Sequence, residues 1–205
     1  MKSIKKLMSL LVVTTCIVCS GCGSIANQSL TPVEASGEQI SSTGISADLP
    51  KGWVEVEGTV MQDGFYMTKG MSSVTVLKMD VPGLSSQSLD DSQANLEESL
   101  KANEASGTKV VASEQKVLNN GDNAIFFTLE GKITQELIDQ NISSGLYSEE
   151  ATKDAEKMIG KTSHETAVCI CSGDTLILIE AITFNDDTTG IEEVATFVAN
   201  SIVLS

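Results

Sequence analysis

The folded region of this chain opens with the stretch Ile45-Ser46-Ala47-Asp48-Leu49-Pro50-Lys51-Gly52-Trp53. Residues 45–49 have the composition of a short strand that half buries its side chains. Proline fixes φ and glycine permits positive φ, so Pro50-Lys51-Gly52 predicts a tight turn that ends the strand and delivers Trp53. We therefore expect an ordered domain that begins at about Gly44 with a strand, a turn and a large aromatic residue.

Downstream of this turn, strand and helix patterns alternate in a simple order. The predicted elements are a meander over 54–58, 62–68 and 72–81, a helix over 88–105, a hairpin over 109–118 and 123–131, a charged helical insertion over 134–161, a hairpin over 166–171 and 175–184, and a helix from Thr189. This order is satisfied by an α+β fold in which helices flank an antiparallel β-sheet. The sequence predicts one such domain over residues 44–205.

The last three elements indicate where the centre of the sheet lies. Residues 166–171 and 175–184 are apolar on both faces, which is typical of central strands that are covered above and below. In the closing helix, Thr189 to Glu192 matches a capping box, and the apolar residues recur at helical spacing. These residues are Ile191, Val194, Ala195, Val198 and Ile202.

The opening stretch and the element order together resemble the PsbP/Mog1-like fold. The match is carried by Leu49-Pro50-Lys51-Gly52-Trp53, which resembles the Leu-Pro-x-Gly-Trp turn of that group, and by Ala199-Asn200-Ser201-Ile202 near the C-terminus. The group includes photosystem II extrinsic proteins, a Ran-binding transport factor and many bacterial lipoproteins. The resemblance implies an α/β/α sandwich that binds or assembles rather than catalyses, and it brings no catalytic residues with it.

Residues 1–21 have the layout of a secretory signal peptide. Lysines at positions 2, 5 and 6 form a positive head, and residues 7–19 form a mostly apolar stretch that is too short to span a bilayer. Ser20-Gly21 then supplies small residues directly before Cys22. We expect this leader to be removed.

Cys22 resembles the lipidated cysteine of a bacterial lipobox, in which it would be thioether-linked to diacylglycerol and carry acyl chains such as palmitate. The pattern departs from the family at Cys19, where an aliphatic residue is usual. An ordinary signal peptide that leaves Cys22 as a free thiol, and an uncleaved N-terminal anchor, are the alternatives. With lipidation, the protein would be held on the outer face of the bacterial cell membrane by its N-terminus.

The composition limits the partners. The chain has 13 lysines, no arginine and 28 acidic residues, for a formal charge of −15. The leader contains three of the lysines and no acidic residue, so its removal makes the charge −18. Such a surface disfavours binding to nucleic acid and to anionic lipid. Residues 22–43 are polar and lack periodicity, so we expect them to form a flexible tether between Cys22 and the domain.

Residues that could carry chemistry are few. His164 has no accompanying G-x-S-x-G elbow or second histidine, which favours a surface role over catalysis. Cys169 and Cys171 alternate along a strand, so both thiols should lie on the face opposite Val168 and Ile170. Buried apolar packing is favoured over a redox pair, because extended geometry holds the two Cα atoms near the limit of about 7 Å for a disulfide.

Two acidic clusters raise the question of calcium. Asp186-Asp187 precedes the last helix, and Asn120, Asp122 and Asn123 lie in a hairpin loop, but neither has the EF-hand spacing. Helix capping and turn formation account for both, so we predict no metal and no cofactor.

The sequence therefore predicts a lipid-anchored, extracytoplasmic, non-enzymatic module that engages a protein partner at the cell envelope. The alternative is a lipoprotein that binds a small ligand or a divalent cation.

Overall fold

A computed structural model describes residues 29–56, 63–102, 108–136, 138–139, 156–184 and 188–204. The predictions made for the leader 1–21, for Cys22 and for Asp186-Asp187 lie outside these residues, as does much of the predicted insertion. The elements of the described ranges are β1 (Ala35–Ser42), β2 (Ile45–Pro50), β3 (Val54–Glu55), β4 (Gly64–Lys69), β5 (Ser72–Asp80), α1 (Leu89–Ala102), β6 (Thr108–Val117), β7 (Asn123–Lys132), β8 (Thr162–Ser172), β9 (Thr175–Thr183), α2 (Thr188–Ser201) and β10 (Val203–Leu204).

Seven strands form an antiparallel sheet in the order β3-β4-β5-β9-β8-β7-β6. The hairpin strands β8 and β9 lie inside this sheet and pair continuously from Ser172↔Thr175 to His164↔Thr183. This confirms the prediction that they are central strands. The α+β architecture with an antiparallel sheet and flanking helices is likewise confirmed.

The turn after β2 forms as the sequence predicts. The Trp53 backbone N–H donates to the Pro50 carbonyl oxygen at 3.1 Å, and Gly52 has a φ of 81°. A positive φ at the third position, with a negative φ at Lys51 in the second, indicates a type II turn and favours glycine at Gly52. Trp53 is buried.

Two cores cover the two faces of the seven-stranded sheet. On one face, α2 packs its buried residues Ile191, Val194, Ala195 and Val198 against apolar side chains of β8, β9 and β2. On the other face, α1 contributes Leu96 and Leu100 to a second cluster. We call these the α2 face and the α1 face.

Both helices begin close to their predicted starts. The Asp91 backbone N–H donates to the Ser88 hydroxyl, and that hydroxyl donates to the Asp91 carboxylate at 2.7 Å, so Ser88 caps α1. The helix α2 begins at Thr188, one residue before the cap that we predicted at Thr189.

The tether prediction is wrong for residues 29–43. The strand β1 pairs antiparallel with β2, and β10 pairs with the other edge of β2 to give a separate three-stranded sheet. Leu30 and Ile40 are buried in the core of the α2 face. Only one of the eight residues of β1 is buried, so the strand is held by backbone hydrogen bonds and leaves no apolar period in the sequence. The ordered domain therefore begins before Gly44.

The described parts of the predicted insertion form a small third cluster. Ile133, Ile138 and Met158 are buried together, with Met71 and Phe184 packed against them. The neighbouring Ile159 side chain is instead 44% exposed, in the turn that precedes β8.

Candidate functional site

Two glutamates lie inside the α1 face of the sheet. Ala167 pairs with Glu180 and Glu165 pairs with Ile182, so the two glutamates are diagonal neighbours on β8 and β9. Glu165 is 8% exposed and Glu180 is 4% exposed. The two carboxyl groups hydrogen-bond to each other. We call them the carboxyl pair.

Burial controls the protonation of the carboxyl pair. Burial raises the pKa of Glu165 to about 7, and the hydrogen bond from Glu180 opposes this shift. Burial also raises the pKa of Glu180 well above its usual value, and the charge of Glu165 and their hydrogen bond add to the effect. Two carboxylates in contact cannot both ionise cheaply in a dry environment, so the pair retains a proton at neutral pH.

These glutamates were not among the residues predicted to carry chemistry. Residue type alone assigns acidic side chains to the surface, where they normally lie. The sequence contained one signal, which is the position of Glu180. This residue stands between Leu176-Ile177-Leu178-Ile179 and Ala181-Ile182, in a strand that the sequence predicts to be covered on both faces. An acidic residue inside such a strand has no exposed side to occupy.

His164 lies on the opposite face from the carboxyl pair, because neighbouring residues of a strand alternate between faces. Its Nδ1 atom is 3.7 Å from the Glu130 Oε1 atom across the β7–β8 ladder, and its side chain is 20% exposed. The structure therefore does not bring His164 together with the two acids that burial perturbs.

The two cysteines of β8 are free thiols on the α1 face. Cys169 belongs to the buried cluster of that face and Cys171 packs against it, while Val168 and Ile170 belong to the opposite cluster. The predicted division of faces is confirmed. Burial raises the pKa of Cys169, with smaller contributions from Cys171 and Glu180, and burial also raises the pKa of Cys171. Both changes disfavour the reactive thiolate.

The acidic loop Asn119–Asn123 forms a hairpin turn. The Asn120 amide donates to the Asp122 carboxylate at 2.9 Å, and the Asp122 backbone N–H donates to the Asn120 side-chain oxygen at 3.0 Å. Within the described ranges, no three His, Cys, Asp or Glu residues are arranged to hold a metal ion.

A small cavity lies between the turn Leu84–Ser86, α1 and β9. Its volume is about 10 Å³. Such a space holds at most one water molecule. The lining residues are Val81, Leu84, Gln87, Ser92, Leu96 and Leu176.

The strand β6 forms an exposed edge of the seven-stranded sheet. At the end of β6, the Leu118 backbone N–H donates to the Asp122 carbonyl oxygen at 2.8 Å. In the turn that follows, the Gly121 backbone N–H donates to the Leu118 carbonyl oxygen, and Gly121 has a φ of 92°. Hydrogen-bonded and non-hydrogen-bonded pairs alternate in an antiparallel ladder. Leu118 and Asp122 form a hydrogen-bonded pair, so Ser113, Gln115 and Val117 fall in the non-hydrogen-bonded pairs of the ladder. Their backbone N–H and C=O groups therefore point away from β7. We call Ala112–Val117 the β6 edge.

Acidic side chains line the β6 edge on both sides. From α1, Asp90 accepts a hydrogen bond from the Gln115 amide at 2.8 Å, and Glu97 accepts one from the Ser113 hydroxyl at 3.2 Å. On the α2 face, Glu114 and Glu192 both contact Lys116, at 2.8 and 2.7 Å. The lysine of this edge is thus already neutralised by two carboxylates.

No helix among the described residues has the length and apolar character needed to cross a bilayer.

Comparisons with known proteins identify the fold. No protein-family profile and no curated protein sequence matches this chain. Among solved structures, the Ran-binding protein Mog1p of Saccharomyces cerevisiae is 9% identical, with a TM-score of 0.53 over 83% of this chain and 96% of that chain. Cyanobacterial PsbP from Synechocystis sp. PCC 6803 is 15% identical, with a TM-score of 0.49 over 91% of this chain and 99% of that chain.

At these identities, the likeness establishes the architecture. By its likeness to Mog1p, the domain has the PsbP/Mog1-like fold that the Leu49–Trp53 turn and the element order predicted. The function has to be argued from the surfaces of this chain.

Proposed function

We propose that this protein is a lipid-anchored, non-enzymatic binding or assembly module that engages a protein partner at the outer side of a bacterial cell membrane. The observation that carries the proposal is the β6 edge. Its outward backbone donors and acceptors are available to another chain, and main-chain pairing at a sheet edge is a common mode of peptide recognition. A solved structure of the same fold is described as Ran-binding, which agrees with a protein-binding role.

A site-specific cross-linking experiment tests the partner. A photoreactive amino acid placed at Val117, which is 70% exposed, should yield adducts to another protein in intact cells. The matched control is the same substitution at Val54, which is 60% exposed at the opposite edge of the sheet. Equal adduct yields from both positions would count against a specific surface on β6.

The anchor rests on the pattern of residues 1–22. A Cys22→Ser variant should lose both labelling by radioactive palmitate and sedimentation with membranes, because two acyl chains supply the membrane affinity. Cys16→Ser, which lies outside the four lipobox residues 19–22, is the matched control and should keep both. Unchanged sedimentation of the Cys22→Ser variant would refute the lipid anchor.

Enzymatic and small-ligand roles predict different results. A hydrolase that uses His164 would lose turnover in a His164→Ala variant, whereas we expect no turnover of ester, peptide or phosphate panels by the unmodified protein. A calcium-binding or metabolite-binding protein would gain about 2.7 kcal/mol of stability at a ligand concentration 100 times its Kd. We expect no rise in the melting temperature on addition of calcium.

A further inference from the structure

We infer that the β6 edge accepts an extended, lysine-rich or arginine-rich segment of a partner protein as an additional strand of the seven-stranded sheet. This inference rests on the proposed function and names the chemistry of the partner. Three features of the edge carry it: its hydrogen-bonding groups, the charge around it, and the bulge that limits it.

The backbone of the edge has room for one short strand. Ser113, Gln115 and Val117 direct their N–H and C=O groups outward, and no strand of the described ranges pairs with them. The register of β6 shifts between Val110 and Ala112, which places a bulge at Val111. A bulge interrupts strand addition, so the usable edge is the six residues Ala112–Val117.

The side chains around the edge select for positive charge. Asp90 and Glu97 contact the side chains of two of the outward residues, and Glu114 remains 59% exposed beside its contact with Lys116. The Lys101 ammonium contacts Glu97 at 2.6 Å, and this hydrogen bond lowers the pKa of Glu97, so that carboxyl is ionised at neutral pH. Among the described residues, the contacts around the edge therefore join four carboxylates, Asp90, Glu97, Glu114 and Glu192, to two lysines, Lys101 and Lys116.

A second copy of this chain fits the edge poorly. Pairing two β6 edges would bring the same acidic side chains of α1 face to face, in a protein whose formal charge is −15. Like charges at an interface cost binding energy and slow association. A cationic strand gains from the same field and is steered toward the edge by it.

Peptide binding to the full-length protein tests the inference. The probe is a fluorescent nine-residue peptide of alternating lysine and threonine, and its match is the same peptide with glutamate in place of lysine. At low ionic strength, we expect the lysine peptide to bind at least tenfold more tightly. We also expect its binding to weaken as salt is added, and amide exchange to slow at Ser113, Gln115 and Val117.

Two variants separate the backbone contribution from the charge contribution. Val117→Pro removes an outward N–H without removing a bond to β7 or the side-chain contacts of Asp90 and Glu97, and it should abolish binding of the lysine peptide. Asp90→Asn with Glu97→Gln should weaken binding severalfold and flatten its salt dependence. The matched control is Asp63→Asn with Asp80→Asn, which changes the net charge equally away from the edge and should bind like the unmodified protein.

Three peptide results would overturn the inference. Equal binding of the two peptides, exchange protection outside β6, or equal losses in both pairs of charge variants would exclude a cationic strand at this edge. Protection of β6 that rises with protein concentration in the absence of peptide would assign the edge to a second copy. If the lysine peptide does not bind while Val117 still cross-links to a protein in cells, the inference fails and the proposed function stands.

Discussion

The two faces of the seven-stranded sheet are built from the same strands but tolerate polarity differently. On the α2 face, the buried residues of β8 and β9 include Val168, Ile170, Ile177 and Ile179, and α2 presses an unbroken apolar stripe against them. On the α1 face, the same strands carry the carboxyl pair and two thiols. In the described strands, the polar side chains that the α2 face buries are neutral ones, Thr166 and the hydrogen-bonded Ser72 and Thr183, whereas the α1 face buries two carboxyl groups, whose burial must be offset by contacts between them.

The largest expected effect tests whether both faces are equally well packed. Trp53→Ala on the α2 face and Phe127→Ala on the α1 face should each lower the free energy of unfolding by about 3–5 kcal/mol, because each removes a buried aromatic side chain and leaves a cavity. Urea denaturation measures both. Val54→Ala is the exposed control and should change stability little. A loss below about 1 kcal/mol for Phe127→Ala would show that the α1 face is loosely packed.

The next largest effect is a pH dependence of stability, which the carboxyl pair of the α1 face should cause. A carboxyl whose pKa is higher in the folded chain binds more protons when folded, so its contribution to stability is complete below pH 4.5 and is lost as pH rises through about 7. At about 1.4 kcal/mol per pKa unit, the loss is on the order of 3 kcal/mol. A variant with Glu165→Gln and Glu180→Gln should lose much less stability between pH 5 and pH 8.5.

The control for this titration lies on α2. Glu193 is exposed, so Glu193→Gln should keep the pH dependence of the unmodified protein. If the variant with both buried glutamines keeps the same dependence as well, the carboxyl pair is not the source of the pH effect.

A smaller effect separates the two thiols. Cys169→Ser places a hydroxyl in a dry site and should cost about 1–3 kcal/mol. Cys171→Ser should cost less, because Cys171 is only partly buried. In the native protein, we expect iodoacetamide to modify Cys171 before Cys169, as measured by mass spectrometry of the digested chain. Equal rates would indicate that the α1 face opens as a unit.

The smallest effect lies on the α2 face, at the edge strand β6. Lys116 contacts Glu114 and Glu192, and its ammonium lies 4.6 Å from the centre of the Phe126 ring. Its side chain is 34% exposed, so water screens these contacts. Lys116→Ala should cost less than about 1 kcal/mol, and the cost should shrink in 0.5 M salt. A salt-independent loss would point to packing of the lysine stem.

Much of the fold could be predicted because local chemistry and burial agree. The turn at Pro50–Trp53 needs a positive φ at its third position, and Gly52 supplies it. The alternation of Val168, Cys169, Ile170 and Cys171 along the chain is enough to assign each residue to its face. The apolar stripe of α2 does the same for the closing helix.

The failures share a physical cause, which is that the deciding interaction is distant in sequence. The strand β1 is specified by backbone pairing with β2, so its polar sequence has no period to detect. Glu165 and Glu180 are buried by the sheet around them, although their residue type favours the surface. The β6 edge depends on strand order, which places β6 last, and strand order was not predicted.

The position of β1 also changes how far the domain can stand from a bilayer. Order begins by Ser29, so six residues separate it from Cys22 in place of the longer spacer that we expected. Even a fully extended chain advances at most about 3.5 Å per residue, which gives a reach of roughly 24 Å. In a chain that is anchored at Cys22, Ser29 therefore lies within that distance of the anchor, and a partner must come close to the headgroups to meet the domain.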